Sequence, residues 1–164
     1  MSDFPAELQG AVWHTTSHER IQRILKEGRI IANPDLPDSE RWNSGSGPHT
    51  YPYVRTLGGV SLFEFLNFDP KTYSEKYPNS MWRSFVPYCV KWGASVWLEI
   101  DTSSLGEGYI TGPGIVARWK KQGALQHTVM PVIEAASIVP IPTSSIRRML
   151  ESSKAEPKLR SFQQ

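Results

Sequence analysis

Cysteine is nearly absent from this chain. Cys89 is the single one among 164 residues, which excludes an internal disulfide framework and suits a reducing compartment. Long apolar runs are missing too. None approaches the roughly 18 residues that mark a membrane-spanning helix, and no basic start leads into an apolar stretch of signal-peptide length. These absences predict a cytoplasmic protein with no membrane partner and no disulfide partner. Neither charge dominates: 18 basic and 16 acidic side chains leave a net charge of +2, too little for a strong polyanion-binding field, so nucleic acid could be met only through a local patch. The glycines Gly106, Gly108 and Gly112 miss the dinucleotide-binding spacing by one residue, and no phosphate-binding P-loop occurs. With one cysteine and scattered carboxylates a zinc site would lack ligands, and His14 and His18 flank the start of a helix rather than sharing a face. No metal is expected. Cys89, between Tyr88 and Val90, reads as a packed thiol rather than a nucleophile, because nothing near it in sequence supplies a base.

What is present is a chain of 39 % apolar content with 13 proline and six tryptophan residues. That length supports one core and predicts one loop-rich domain over residues 1–150, with a polar tail over 151–164 that frays. Gly10 to His14 reads as a first strand. Thr16 and Glu19 then form a capping box, Ile21, Ile24 and Leu25 share a face, and Gly28 supplies a helix stop. Arg29 to Ala32 suits a short strand, and Asn33 to Thr50 a long loop. A strand over Gly59 to Leu62 leads into a turn or helical segment, and Asp69 to Pro87 reads as a loop with a helical turn near Ser80 to Phe85. Ser95 to Asp101 alternates as a strand, with Val96, Leu98 and Ile100 on one face and Trp97 and Glu99 on the other. Gly106 to Gly114 is turn-rich, Ile115 to Lys120 is a short element of open type, and Ser144 to Leu150 reads as a helix.

The most informative stretch is Met130 to Ile146, within a strand expected over Thr128 to Pro140. Glu134 is the only charged residue between Gln122 and Ser145. Burying an unpaired carboxylate is costly, so such a strand either turns Glu134 to water, pairs it with an arginine or uses it chemically.

Taken in order, a strand ending in His14-Thr15, an amphipathic helix closing on Gly28, a strand carrying Ser61-Leu62-Phe63, and a late Glu134 strand followed by Ile141-Pro142 resemble the ADP-ribosyltransferase superfamily. The likeness covers most of the domain and is closest to the small stand-alone transferases of bacteria and phages, some of them toxins or host-takeover effectors. It implies an α+β fold in which two small antiparallel β-sheets, flanked by short helices, form a central cleft for NAD. It also implies cleavage of the nicotinamide–ribose bond and transfer of ADP-ribose to a macromolecular acceptor, protein or nucleic acid. By the same likeness Glu134 is the catalytic acid and Ser61 its hydroxyl support. His14 and Thr15 meet the adenosine end of NAD, Tyr51, Tyr53 and Phe63 are the candidates to sandwich nicotinamide, and Arg55 meets the pyrophosphate.

The residues depart from two branches of that superfamily. Val132 stands where arginine-modifying members carry an acidic or amide residue, and Phe63 lacks the hydroxyl of the His-Tyr-Glu branch, whose tyrosine Tyr51 and Tyr53 precede. Two alternatives are an NAD-dependent RNA 2′-phosphotransferase, for which Arg20, Arg23, Arg55 and Arg83 form no recognisable pattern, and an inactive module of the same fold that occupies a partner protein. The loops Asn33 to Thr50 and Asp69 to Pro87, with Trp42 and Trp82, are the surfaces expected to meet an acceptor.

Overall fold

A computed structural model of the chain describes residues 4–32, 37, 52–78, 82–123 and 133–164. Tyr51, Val132 and nearly all of the expected loop Asn33 to Thr50 lie outside the described residues. The fold is mixed α and β. Nine strands are described: β1 Val12–Thr16, β2 Arg29–Ile30, β3 Val60–Glu64, β4 Ala94–Ile100, β5 Tyr109–Ile110, β6 Glu134–Ser137, β7 Ile141–Pro142, β8 Ile146–Ser153 and β9 Arg160–Ser161. Seven of them form one sheet in the order β5-β6-β3-β1-β4-β8-β9, and β2 pairs with β7 in a second, two-stranded sheet. Every described pairing is antiparallel. The helices are α1 His18–Glu27, α2 Tyr53–Thr56, α3 Pro70–Lys76 and α4 Gly112–Arg118.

Alternation along β4 sends neighbouring side chains into two different cores. Val96, Leu98 and Ile100 join Val12, Leu62, Ala135 and the α1 residue Ile21 on one face. Trp97 goes to the other face with Trp13, Phe65, Phe68 and Trp82. A central strand buried on both sides explains its Val and Trp content. The indoles are satisfied as well as buried: Trp13 Nε1 donates to the Leu8 carbonyl at 2.9 Å and Trp97 Nε1 to the Pro87 carbonyl at 2.8 Å, as buried polar atoms require.

Helix α1 ends on Gly28 at φ 73°, whose amide closes on the Ile24 carbonyl, the left-handed stop that glycine permits. Its start differs from the expected capping box. Ser17 is the cap, with its Oγ accepting from the Arg20 amide at 3.2 Å, while Thr16 is the last residue of β1 and buried.

Two further expectations are corrected. Ser144 to Leu150 is not helical: a short 3-10 turn over Thr143–Ser145 gives way to β8, which pairs with β4 over seven residue pairs, and that pairing overrides the local preference. The tail does not fray. Glu151 to Ser153 complete β8, β9 pairs with Leu150 and Glu151, Leu159 is buried, and Glu151 accepts from Arg160 and meets His18, each at 2.9 Å. Within Asp69 to Pro87 the expected turn is present at Trp82–Ser84. A helix not foreseen, α3, precedes it, with Pro70 in its first turn and Asp69 Oδ1 accepting from the Thr72 amide at 2.6 Å, both helix-start chemistry.

One irregularity positions the site. β1 pairs with β4 as far as Thr16, and β3 pairs with β6 back to Val60, yet β1 and β3 pair with each other only at Val12–Glu64 and Trp13–Phe63. Past Trp13 and Phe63 the ladder between them stops.

Candidate functional site

Where that ladder stops, a side chain takes over from the backbone. His14 Nδ1 lies 2.9 Å from the Ser61 carbonyl oxygen; a carbonyl can only accept, so Nδ1 carries the proton and Nε2 is left as the ring's acceptor when the imidazole is neutral. Burial holds His14 below the usual histidine range, against the bond to Ser61, and the positive charge of Arg20 adds to the lowering.

A cavity of about 230 Å³ opens at this point. His14, Thr15 and Thr16 line it from β1, Gly59, Val60, Ser61 and Phe63 from the β3 side, and Glu134 from the start of β6. Six of the eight expected site residues thus share one cavity: His14, Thr15, Arg55, Ser61, Phe63 and Glu134. Tyr51 is outside the described residues. Tyr53 is not in the lining; as the first residue of α2 it is 3 % exposed and buried in a core cluster with Val54, Ile110, Ile115 and Ala136, which corrects its expected place against a nicotinamide ring.

Glu134 is the outstanding group. Its Oε2 is buried without a hydrogen-bond partner among the described residues, and burial pushes its pKa from 4.5 up to about 7. The expected support from Ser61 is not made. Across the β3–β6 ladder Glu134 pairs with Phe63 and Ser61 with Ala136, and no hydrogen bond joins Ser61 to the carboxyl. The residue before the acid is strained: Ile133 has φ 55°, the only positive φ at a non-glycine residue among those described. For a β-branched side chain this costs on the order of 1–3 kcal/mol and persists only where surrounding structure imposes it.

Phe63 is half-buried, with its ring 5.1 Å from that of Phe85, another lining residue, and 5.6 Å from that of Trp97. It lines the cavity while anchored in the aromatic core. Thr15 Oγ1 reaches the Val96 carbonyl only at 3.4 Å, a weak bond by length.

The wall opposite in charge comes from arginines, of which the family likeness places only Arg55 at the site. Arg20 and Arg23 from α1, Arg29 from β2 and Arg55 from α2 line the cavity, with Arg23 Nε bonded to Glu27 at 2.9 Å and Arg20 stacked at 5.3 Å over Trp92. Their signal in the sequence is the spacing of Arg20, Arg23 and Glu27 along one stripe of α1. Arg83 is elsewhere, 4.4 Å over the Trp82 ring. Such a cavity can hold an anionic group against guanidinium and an aromatic or cationic group beside a carboxyl.

Among the described residues no cluster of three or more potential metal ligands occurs, and no helix is long and apolar enough to cross a membrane. Cys89 is fully buried and its thiol pushed up by burial, as befits a packed side chain. Comparison with protein-family models, with curated proteins and with solved structures finds no match for this chain.

Proposed function

We propose that this chain is an NAD-dependent mono-ADP-ribosyltransferase of the ADP-ribosyltransferase-like fold, in which the parted β1 and β3 form the cleft. The observation that carries the reading is the buried Glu134 carboxyl, without a partner, in one cavity with His14 and a wall of arginines. A carboxyl so placed is costly at rest and repays that cost only when a positive charge appears beside it.

NAD, as co-substrate, would supply a ribose that becomes cationic as its bond to nicotinamide breaks and nicotinamide leaves with the bonding electrons; the acceptor's nucleophilic atom then bonds to that carbon and gives up its proton. Glu134, ionised, steadies the developing charge and orients the ribose hydroxyls, so its benefit falls mainly in the transition state. Phe63 and Phe85 offer aromatic faces for the departing ring. His14, with its tautomer fixed by Ser61, presents an acceptor nitrogen to a ribose hydroxyl, and Arg55 with the α1 arginines is suited to the pyrophosphate. The acceptor is a macromolecule, protein or nucleic acid, and the setting that of a cytoplasmic effector or toxin.

Incubation with labelled NAD and lysate tests this: the wild type releases nicotinamide and labels an acceptor, and Glu134→Gln loses about a hundredfold or more of that rate. Absence of both release and transfer in the wild type overturns it and leaves the inactive binding module. The arginine wall specifically favours a second reading, RNA 2′-phosphotransfer to NAD. An RNA oligonucleotide bearing an internal 2′-phosphate would lose it in the presence of NAD under that reading and remain intact under the first.

A further inference from the structure

Glu134 begins β6, where the support on one side runs out. β5 pairs with β6 at Tyr109–Ser137 and Ile110–Ala136, so its ladder stops two residues short of Glu134. Beyond β5 this edge continues as the first turn of α4, and a second acid, Glu64, ties that turn down. Glu64 Oε2 accepts from the Tyr109 hydroxyl at 2.6 Å and from the Gly112 amide at 2.9 Å. The Glu64 backbone amide donates to the carbonyl of the strained Ile133 at 3.0 Å. Gly112 packs so closely that a Cβ there would sit 3.3 Å from Glu64 Oε1 and 3.5 Å from the Glu134 carbonyl oxygen. One residue thus holds β3, β5, the start of α4 and the strained residue preceding Glu134.

We propose that Glu64 is a positioning residue for Glu134: its carboxylate, held by Tyr109 and Gly112, fixes the entry into β6 and keeps the Glu134 carboxyl inside the cavity. The proposal deepens the transferase reading and rests on it for its catalytic consequence. Glu64 suits the role chemically. Both bonds fall on one carboxyl oxygen at short range, and the tyrosine proton is retained because burial and the Glu64 bond push Tyr109 well above its ordinary range. The ionisable and charged groups lining the cavity with Glu134 are His14, Arg20, Arg23, Glu27, Arg29 and Arg55, yet burial alone accounts for its raised pKa, so its titration reports how well it stays enclosed.

The test is the titration of Glu134 in the full-length protein, followed through carbon-13-labelled glutamate carboxyl signals and assigned by the signal missing in Glu134→Gln. The wild-type midpoint is expected near 7. In Glu64→Ala the midpoint falls by about one pH unit or more, because an acid released to water returns toward its ordinary value, and nicotinamide release slows about tenfold or more as the carboxyl leaves its productive position. Glu64→Gln, whose amide oxygen accepts the same two bonds, keeps both values close to wild type. Tyr109→Phe removes one bond without emptying the core and lowers the midpoint in the same direction; it decides alone should Glu64→Ala fail to fold. A midpoint that stays near 7 in Tyr109→Phe and in folded Glu64→Ala overturns the proposal. A wild type that releases no nicotinamide while its Glu134 midpoint still falls in these variants refutes the transferase and leaves the positioning role standing.

Discussion

Two neighbouring regions of the molecule, the aromatic core and the cavity that Phe63 and Phe85 share with it, are built to opposite standards. On the aromatic side Trp13, Phe65, Phe68, Trp82 and Trp97 interlock, with Trp13 and Trp97 edge-on at 6.5 Å, and the indoles of Trp13 and Trp97 each reach a carbonyl. Around the cavity the same strands leave a carboxyl oxygen without a partner, a β-branched residue at positive φ, and two strands parted after two residue pairs. The first side obeys what packing and hydrogen bonding demand. The second departs from both within a few residues. Local costs of this kind concentrate where a protein binds or reacts, so the contrast itself locates the site.

Substitutions on either side test that contrast. The largest effect is expected on the aromatic side: Trp97→Ala removes a fully buried indole and should destabilise the fold by about 3–5 kcal/mol, read from denaturant midpoints, with Trp13→Ala similar. If either cost no more than a surface change, the aromatic side would not be the scaffold. Around the cavity the sign reverses. Glu134→Gln removes a carboxyl whose folded pKa, about 7, lies above its ordinary 4.5. The native state binds the proton more tightly, so wild-type stability is full below about 4.5 and declines as pH rises through 7. The Gln variant should therefore match the wild type near pH 4.5 and exceed it by up to about 3 kcal/mol above pH 7. Thermal unfolding of both proteins across that range checks this; a gap that does not widen with pH would deny the carboxyl its burial. The smallest effect is at Ser17, where Ser17→Ala should cost about 1 kcal/mol through the lost α1 cap, read from denaturant midpoints.

Parts of this arrangement are legible in the sequence for identifiable reasons. α1 declares itself through Ile21, Ile24 and Leu25 and the stop at Gly28, and β4 through its alternation, because both patterns come directly from backbone periodicity. Glu134 stands out because it is the lone charge in an apolar stretch, a compositional signal that survives any detail of packing. The end of the chain was not legible. Arg147, Arg148 and Glu151 look like an exposed helical surface, but they are anchored across strands, Arg148 to Glu99 and Arg147 to Asp101 by contacts of 2.9 and 3.0 Å and Glu151 to Arg160. Partners that far apart in sequence leave no local trace. The same holds for Arg29 and for the joining of α1, β2 and α2 into one wall, of which only the α1 stripe of Arg20 and Arg23 and the family likeness for Arg55 give a sign, and for Glu64, whose proposed role depends on Tyr109 and Gly112 nearly fifty residues away. Tyr53 misled in the other direction: the family likeness offers it as an aromatic face for nicotinamide, whereas α2 turns it into the core.

The most direct test of the central claim is the pH profile of kcat/KM for nicotinamide release from NAD. If Glu134 is the acid that steadies the ribose cation, the rate climbs as the carboxyl ionises through about pH 7, and Glu134→Gln abolishes both the climb and the plateau. A profile that ignores this substitution, or a wild type inert toward NAD at every pH, contradicts the account.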